Sequence, residues 1–147
     1  MKTKYSNKDQ LNLDVFIKLS RCAQSVQRKI QKFFYQYNIT VPQFGVLEML
    51  YHKGDLCIQE VIDRTLSSSG NMTVVVENLR KEGYISKQQD KNDGRKMVLH
   101  LESKGHELME ILFPAFLIEL DQLMMVLSED EKVVLSELLK RLGHAQE

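Results

Sequence analysis

The sequence predicts a mainly α-helical fold broken once by a small β-hairpin, and three features of the residue order predict it. Only two Pro and seven Gly punctuate 147 residues, so long uninterrupted elements are expected. Apolar residues recur at helical spacing toward both ends of the chain. One stretch, residues 85–101, alternates instead with the two-residue period of a strand. Hydrophobic residues at 43% and charged residues at 27% describe a folded chain, long enough for one domain with its own core. No apolar run is long enough to span a bilayer, and the opening MKTKYSNKDQ lacks the apolar stretch of a signal peptide. A cytoplasmic protein without membrane contact is therefore expected. Cys22 and Cys57 follow no C-x-x-C spacing and read as free thiols.

Phe16, Leu19, Ala23, Val26, Ile30, Phe33 and Tyr37 step by three and four, an apolar seam along one long helix. A small domain cannot cover a helix of that length, so the seam calls for a partner. Thr40-Val41-Pro42-Gln43 then reads as a helix start, with Thr as N-cap, Pro in the first turn and Gln three residues after the cap. The helix it opens is expected to bury Phe44, Leu47, Leu50 and Tyr51, and Gly54 fits its exit. A short helix follows with Ile58, Val61 and Ile62 inward, closing at Leu66. Ser67-Ser68-Ser69-Gly70-Asn71 is rich in N-cap residues and opens a further helix with Met72, Val75 and Leu79 inward; Gly83 fits its end.

Residues 85–89 and 97–101 form the two alternating segments, with Met97, Leu99 and Leu101 on one face and the turn signal Asp93-Gly94 between them. Beyond them Met109, Leu112, Phe116, Leu120, Leu123 and Leu127 make a second helical stripe, with Pro114 expected to kink the helix. Ser128-Glu129-Asp130-Glu131 is a capping box opening a last helix through Leu135, Leu138 and Leu142.

Net charge is zero but segregated. Residues 1–37 hold eight Lys/Arg against two Asp (+6), and residues 105–147 hold three Lys/Arg against nine Asp/Glu (−6). Binding of a polyanion must then be local. A short helix, a turn, a longer helix and a hairpin with a charged tip make the layout of a winged helix-turn-helix. A helix that enters the major groove needs small polar residues at its N-terminal end. Ser67, Ser68, Ser69, Asn71 and Thr73 supply them, although the serines taken alone would serve equally as N-caps. Lys91, Arg95 and Lys96 give the hairpin tip the charge to reach a neighbouring phosphate backbone or minor groove. No catalytic motif is present, so no enzyme is expected. His52, His100, His106 and His144 are scattered, so neither a metal nor a cofactor is expected.

The stretch QFGVLEMLYHKGDLCIQEVIDRTLSSSGNMTVVVENLRKEGYISKQQDKNDGRKMVLHLESKG resembles the MarR family of bacterial transcriptional regulators, with the likeness running over essentially the whole chain. The family's wing pattern, D-x-R-D-x-R followed by a strand and L-T-x-x-G, is similar to Asp90 through Arg95 and Leu101 through Gly105. Asn92 stands where the pattern has arginine, and Glu102 where it has threonine. The resemblance implies that Asp93 orients the wing arginine, Arg95. It also implies a homodimer in which the first and last two helices interlock, and two reading heads that face one palindromic double-stranded operator. The chain would then be a single domain, 1–147, with dimerisation helices at about 10–38 and 103–144 flanking a winged helix-turn-helix at about 40–101.

Within the family, QFGVLEMLYHKGDL is most similar to the quinone- and electrophile-responsive repressors, which implies release from DNA by a small aromatic or electrophilic effector or by thiol modification. Cys22, beside Arg21 and one turn from Lys18, is the candidate redox sensor, or else a small core residue between Leu19 and Val26. Peroxide-sensing relatives carry their cysteine nearer the position of Phe16. Cys57 is expected to be packed or beside an N-cap. Phe33, Phe34, Tyr35, Tyr37 and Met49 line an effector pocket or form ordinary core. Two other readings are a winged-helix module for protein contacts and a metal-responsive regulator. Polar residues at the reading end and a basic tip speak against the protein-contact module.

Overall fold

Ser6 starts the first helix: its hydroxyl accepts the Asp9 N–H at 3.1 Å, satisfying a donor that the helix cannot satisfy itself. In the computed structural model, which describes residues 4–65 and 69–147 (without the side chains of Ser69 and Gly70), this is α1, Asn7–Tyr35. Asn38 ends it in the left-handed region at φ 57°, while Asn38 N–H donates to the Tyr35 carbonyl and Ile39 N–H to that of Phe34. The following α2 (Val41–Lys53) opens on the expected capping box: Gln43 N–H donates to the Thr40 hydroxyl at 3.2 Å, and Thr40 N–H to Gln43 Oε1 at 2.9 Å.

Strand β1 is only Leu56–Cys57, followed by α3 (Ile58–Thr65), α4 (Ser69–Lys81), β2 (Ile85–Gln89), β3 (Met97–Leu101), α5 (Ser103–Met124) and α6 (Glu129–His144). The two strands of the hairpin fall where the alternation puts them. The sheet, however, has three strands in the order β1-β3-β2, all antiparallel, with Leu56 opposite Leu99 and Ile85 opposite Leu101. A two-residue strand is too short to show a period, so β1 is invisible in the sequence.

The described residues divide into two compact units, one running through Phe113 and one from Pro114 to Glu147. In the first, Phe34, Val46, Leu47, Val61, Leu79, Leu99, Met109 and Leu112 are all buried. α4 buries Met72, Val76 and Leu79, and Val75 is only half-buried; the spacing four-then-three wins over the expected three-then-four. Gly105 sits so close to its neighbours that a Cβ would lie 2.5 Å from the Tyr84 carbonyl oxygen and overlap the Leu101 side chain. Only glycine fits where α5 starts.

The seam on α1 divides. Phe33 is buried and Val26 and Ile30 are half-buried, but Phe16, Leu19 and Ala23 are exposed, Phe16 at 66%. In the second unit the helix continues through Pro114 to Met124. α6 then opens on its expected capping box, with Glu131 N–H on the Ser128 hydroxyl at 3.2 Å. No residue of α6 is buried. No single helix among the described residues is long and apolar enough to cross a membrane.

Candidate nucleic-acid interface

Because α4 turns Met72, Val76 and Leu79 into the core, its opposite side faces out, and Asn71 and Thr73 are exposed there. Ser69 is its first residue; Ser67 and Ser68 lie outside the described residues. The helix is stopped by Gly83 at φ 80°, a conformation costly for any residue with a Cβ. Gly83 N–H donates to the Arg80 carbonyl and Tyr84 N–H to that of Leu79, both at 3.0 Å, the paired bonds of a Schellman ending. Lys104, from the first turn of α5, adds a third tie. Its Nζ donates to the Glu82 carbonyl at 2.6 Å and lies 4.5 Å from the centre of the Tyr84 ring. The C-terminal end of α4 is thereby fastened to α5. Nothing in the sequence pattern marks Lys104, because the tie is set by backbone geometry at Gly83.

The outward side of α4 carries one acid, Glu77, and it is paired. Arg80 Nη2 and Nε donate to its carboxylate at 2.6 and 3.0 Å, which lowers the carboxyl pKa and raises that of the guanidinium. The three-residue spacing of opposite charges is a sequence signal for this pair. With its charge met, Glu77 repels a phosphate less than a bare carboxylate would.

The wing loop joins β2 to β3. Asp90 folds it: its carboxylate accepts the N–H groups of Asn92 at 2.7 Å and Asp93 at 3.3 Å, and Asp90 N–H donates to the Lys96 carbonyl at 2.9 Å. Lys96 N–H donates to the Asp93 carbonyl at 3.0 Å, closing the turn over Gly94. Lys91, Arg95 and Lys96 all stand exposed on this loop, Arg95 with 93% of its side chain in solvent. Asp93 is less exposed and accepts from Arg95 twice through one oxygen, from the backbone N–H at 3.1 Å and from Nε at 3.2 Å. Those bonds, the backbone one foremost, hold its carboxyl below the ordinary aspartate range. The Asp93 contact engages Nε, and with its side chain 93% in solvent Arg95 keeps its other guanidinium donors accessible to an acceptor outside the loop.

A histidine to which the sequence pattern gives no role supports the sheet. His100 Nδ1 on β3 lies 2.7 Å from Asp55 Oδ1, beside β1. His52 packs edge-on against Phe113 at 4.6 Å, and Tyr51 lies 5.9 Å from the His106 ring. Among the described residues, no group of three or more His, Cys, Asp or Glu side chains is placed to hold a metal.

The thiols differ. Cys22 is exposed on α1, beside Leu19, which is likewise uncovered, so neither belongs to the core that one chain forms by itself. Cys57 is half-buried just before α3. Its N–H donates to Glu60 Oε1 at 3.3 Å, and burial, then Glu60, pushes its thiol pKa up. Of the aromatic set, Phe33 and Phe34 are core, with Phe34 stacked on Phe44 at 4.4 Å and Phe33 5.4 Å from Tyr37; Tyr35 is exposed.

A helix whose outward side is largely polar, fixed at its end and flanked by a basic hairpin, defines a winged-helix DNA-binding protein. Comparison with known proteins agrees. Residues 28–112 match the family described as transcriptional regulator SarA/Rot. The HTH-type transcriptional regulator MhqR of Bacillus subtilis (strain 168) is 35% identical over 132 residues, spanning 90% of this chain and 91% of MhqR. A MarR-like transcription regulator from Bacillus cereus superposes with a TM-score of 0.81 at 22% identity, over 94% of this chain and 99% of its own. Overoxidized AbfR bound to DNA superposes at 0.74 and 21% identity, over 97% and 100%. The chain belongs to the SarA/Rot family of transcriptional regulators. It is a DNA-binding regulator of transcription and not an enzyme.

Proposed function

We propose that the chain acts as a homodimeric repressor of a palindromic operator in the bacterial cytoplasm, released by a small aromatic or electrophilic effector or by modification of Cys22. The observation that carries the DNA-reading part is the exposed Arg95, steered by Asp93, on the same lobe as the polar outward side of α4. In this reading Ser67, Ser68, Ser69, Asn71 and Thr73 enter the major groove, while Lys91, Arg95 and Lys96 meet phosphates or the adjacent minor groove. The DNA-bound AbfR, of the same fold, supports that assignment.

The homodimer is supported by apolar surface that one chain leaves uncovered, on α1 at Leu11, Val15, Phe16 and Leu19, and on α6 at Leu135, Leu138 and Leu142. Both regions serve as dimerisation helices (about 10–38 and 103–144) around the winged helix-turn-helix at about 40–101, all as one functional domain. Exposure of Cys22 on that same α1 supports the thiol switch, since an adduct there would disturb such a dimer.

Selection of bound sequences from random duplex DNA at stated salt tests the proposal. It should return an inverted repeat with half-site centres roughly 10 base pairs apart. Failure to enrich any sequence above the starting pool would contradict operator recognition.

A further inference from the structure

Across the winged-helix segment from Thr40 to Leu101, just two large apolar side chains among the described residues are exposed: Val41 at 39% and Val74 at 59%. Val41 is the first residue of α2, where a helix end meets solvent. Val74 is different. It lies two residues after Met72 and two before Val76, both buried, so at 3.6 residues per turn it projects from the side of α4 opposite the core. It is the sixth residue of α4, in the N-terminal half that a recognition helix offers to base edges. Asn71 and Asn78, both exposed, lie on the same side, and the nearby acid Glu77 is held by Arg80.

Valine is a weaker helix former than alanine or the long polar residues, so helix stability does not account for it at an exposed position. A single side chain is also too small to hold a protein partner. In the major groove, however, one base-edge group is apolar, the C5 methyl of thymine, and valine methyls complement it as amides complement adenine. We propose that Val74 is a specificity-determining residue that contacts a thymine C5 methyl in each half-site. This rests on the DNA-binding reading of α4, and it adds a base identity to it.

The test uses the duplex enriched by the wild-type protein from a random pool, with each thymine replaced singly by deoxyuridine, which removes the methyl and leaves base pairing unchanged. At one thymine per half-site the replacement should weaken wild-type binding roughly fourfold, the worth of one buried methyl-sized group. Val74→Ser, on an exposed face, should keep the wild-type fold by circular dichroism and bind the thymine and uracil duplexes equally at that position. Wild-type indifference to uracil at every thymine, an enriched site without thymine, or undiminished discrimination by Val74→Ser would each overturn the contact while salt-dependent DNA binding stands. Failure of the wild-type protein to enrich or bind any duplex would instead overturn the DNA-binding reading and the contact together.

Discussion

In the winged-helix lobe the apolar residues close on one another, so that Val46, Leu47, Val61, Leu79 and Leu99 have no exposed surface. On α6, residues of the same kind at the same helical spacing stay open, with Leu135, Leu138 and Leu142 between 41% and 47% exposed. The N-terminal half of α1 behaves like α6, and its C-terminal end, at Phe33 and Phe34, like the lobe. A helical period thus states that an apolar face exists. Whether the cover comes from the same chain or from another depends on long-range packing. The lobe is a finished core; the open faces are surfaces awaiting one.

Substitutions should separate the two kinds of face. Leu47→Ala, at a site with no exposed surface, should lower the unfolding free energy by about 2–5 kcal/mol in a urea titration. A cost well below that would mean the lobe is not the closed core described. Leu138→Glu should leave the lobe folded but raise the dimer dissociation constant by about 10- to 100-fold, roughly 1.4–2.7 kcal/mol, read from sedimentation. An unchanged constant would place Leu138 outside any interface.

Arg95→Ala belongs to neither face, since its side chain is in solvent, and it should spare both folding and dimer. If the residue meets a phosphate, affinity should fall for all sequences alike and the salt slope by about one unit. If it enters a minor groove, the loss should follow groove width and sequence. Unchanged affinity at low salt would remove Arg95 from the interface.

The two thiols repeat the contrast on a smaller scale. Exposed Cys22 should be alkylated by a quinone before half-buried Cys57, whose thiol is pushed toward its protonated form. Release of DNA by quinone should therefore survive Cys57→Ser and be lost in Cys22→Ser; release persisting in Cys22→Ser would end the assignment. The smallest effect concerns Asp93. Its pKa is depressed in the fold, so its contribution to wing order is complete above the ordinary aspartate value of 3.8 and fades only as pH falls through the lower folded one. An NMR titration should put its midpoint under 3.8, the ordinary value, and wing order should not change between pH 8 and 5. A midpoint at or above 3.8 would show that the Arg95 bonds do not form in solution.

What the residue order reveals best is what neighbours in sequence decide. The capping boxes at Thr40-Gln43 and Ser128-Glu131, the glycine stop at Gly83 and both strands of the hairpin need only a few adjacent residues, and all are where those residues place them. Strand β1 was hidden because its existence depends on Leu99, far along the chain. Three consecutive valines give periodicity nothing to choose between, so the spacing favours Val75 where the fold buries Val76. Around the interface, the polar start of α4 and the basic wing were legible as composition. The ties that aim them, Lys104 on the Glu82 carbonyl and His100 with Asp55, join residues distant in sequence and could be found only in three dimensions.

The open faces of α1 and α6 are expected to be covered by a second copy of the chain. Sedimentation equilibrium of the wild-type protein at micromolar concentration addresses it directly. A single species at twice the 17.1 kDa chain mass is expected, reduced toward one chain by Leu138→Glu. A folded 17.1 kDa monomer under those conditions would contradict it.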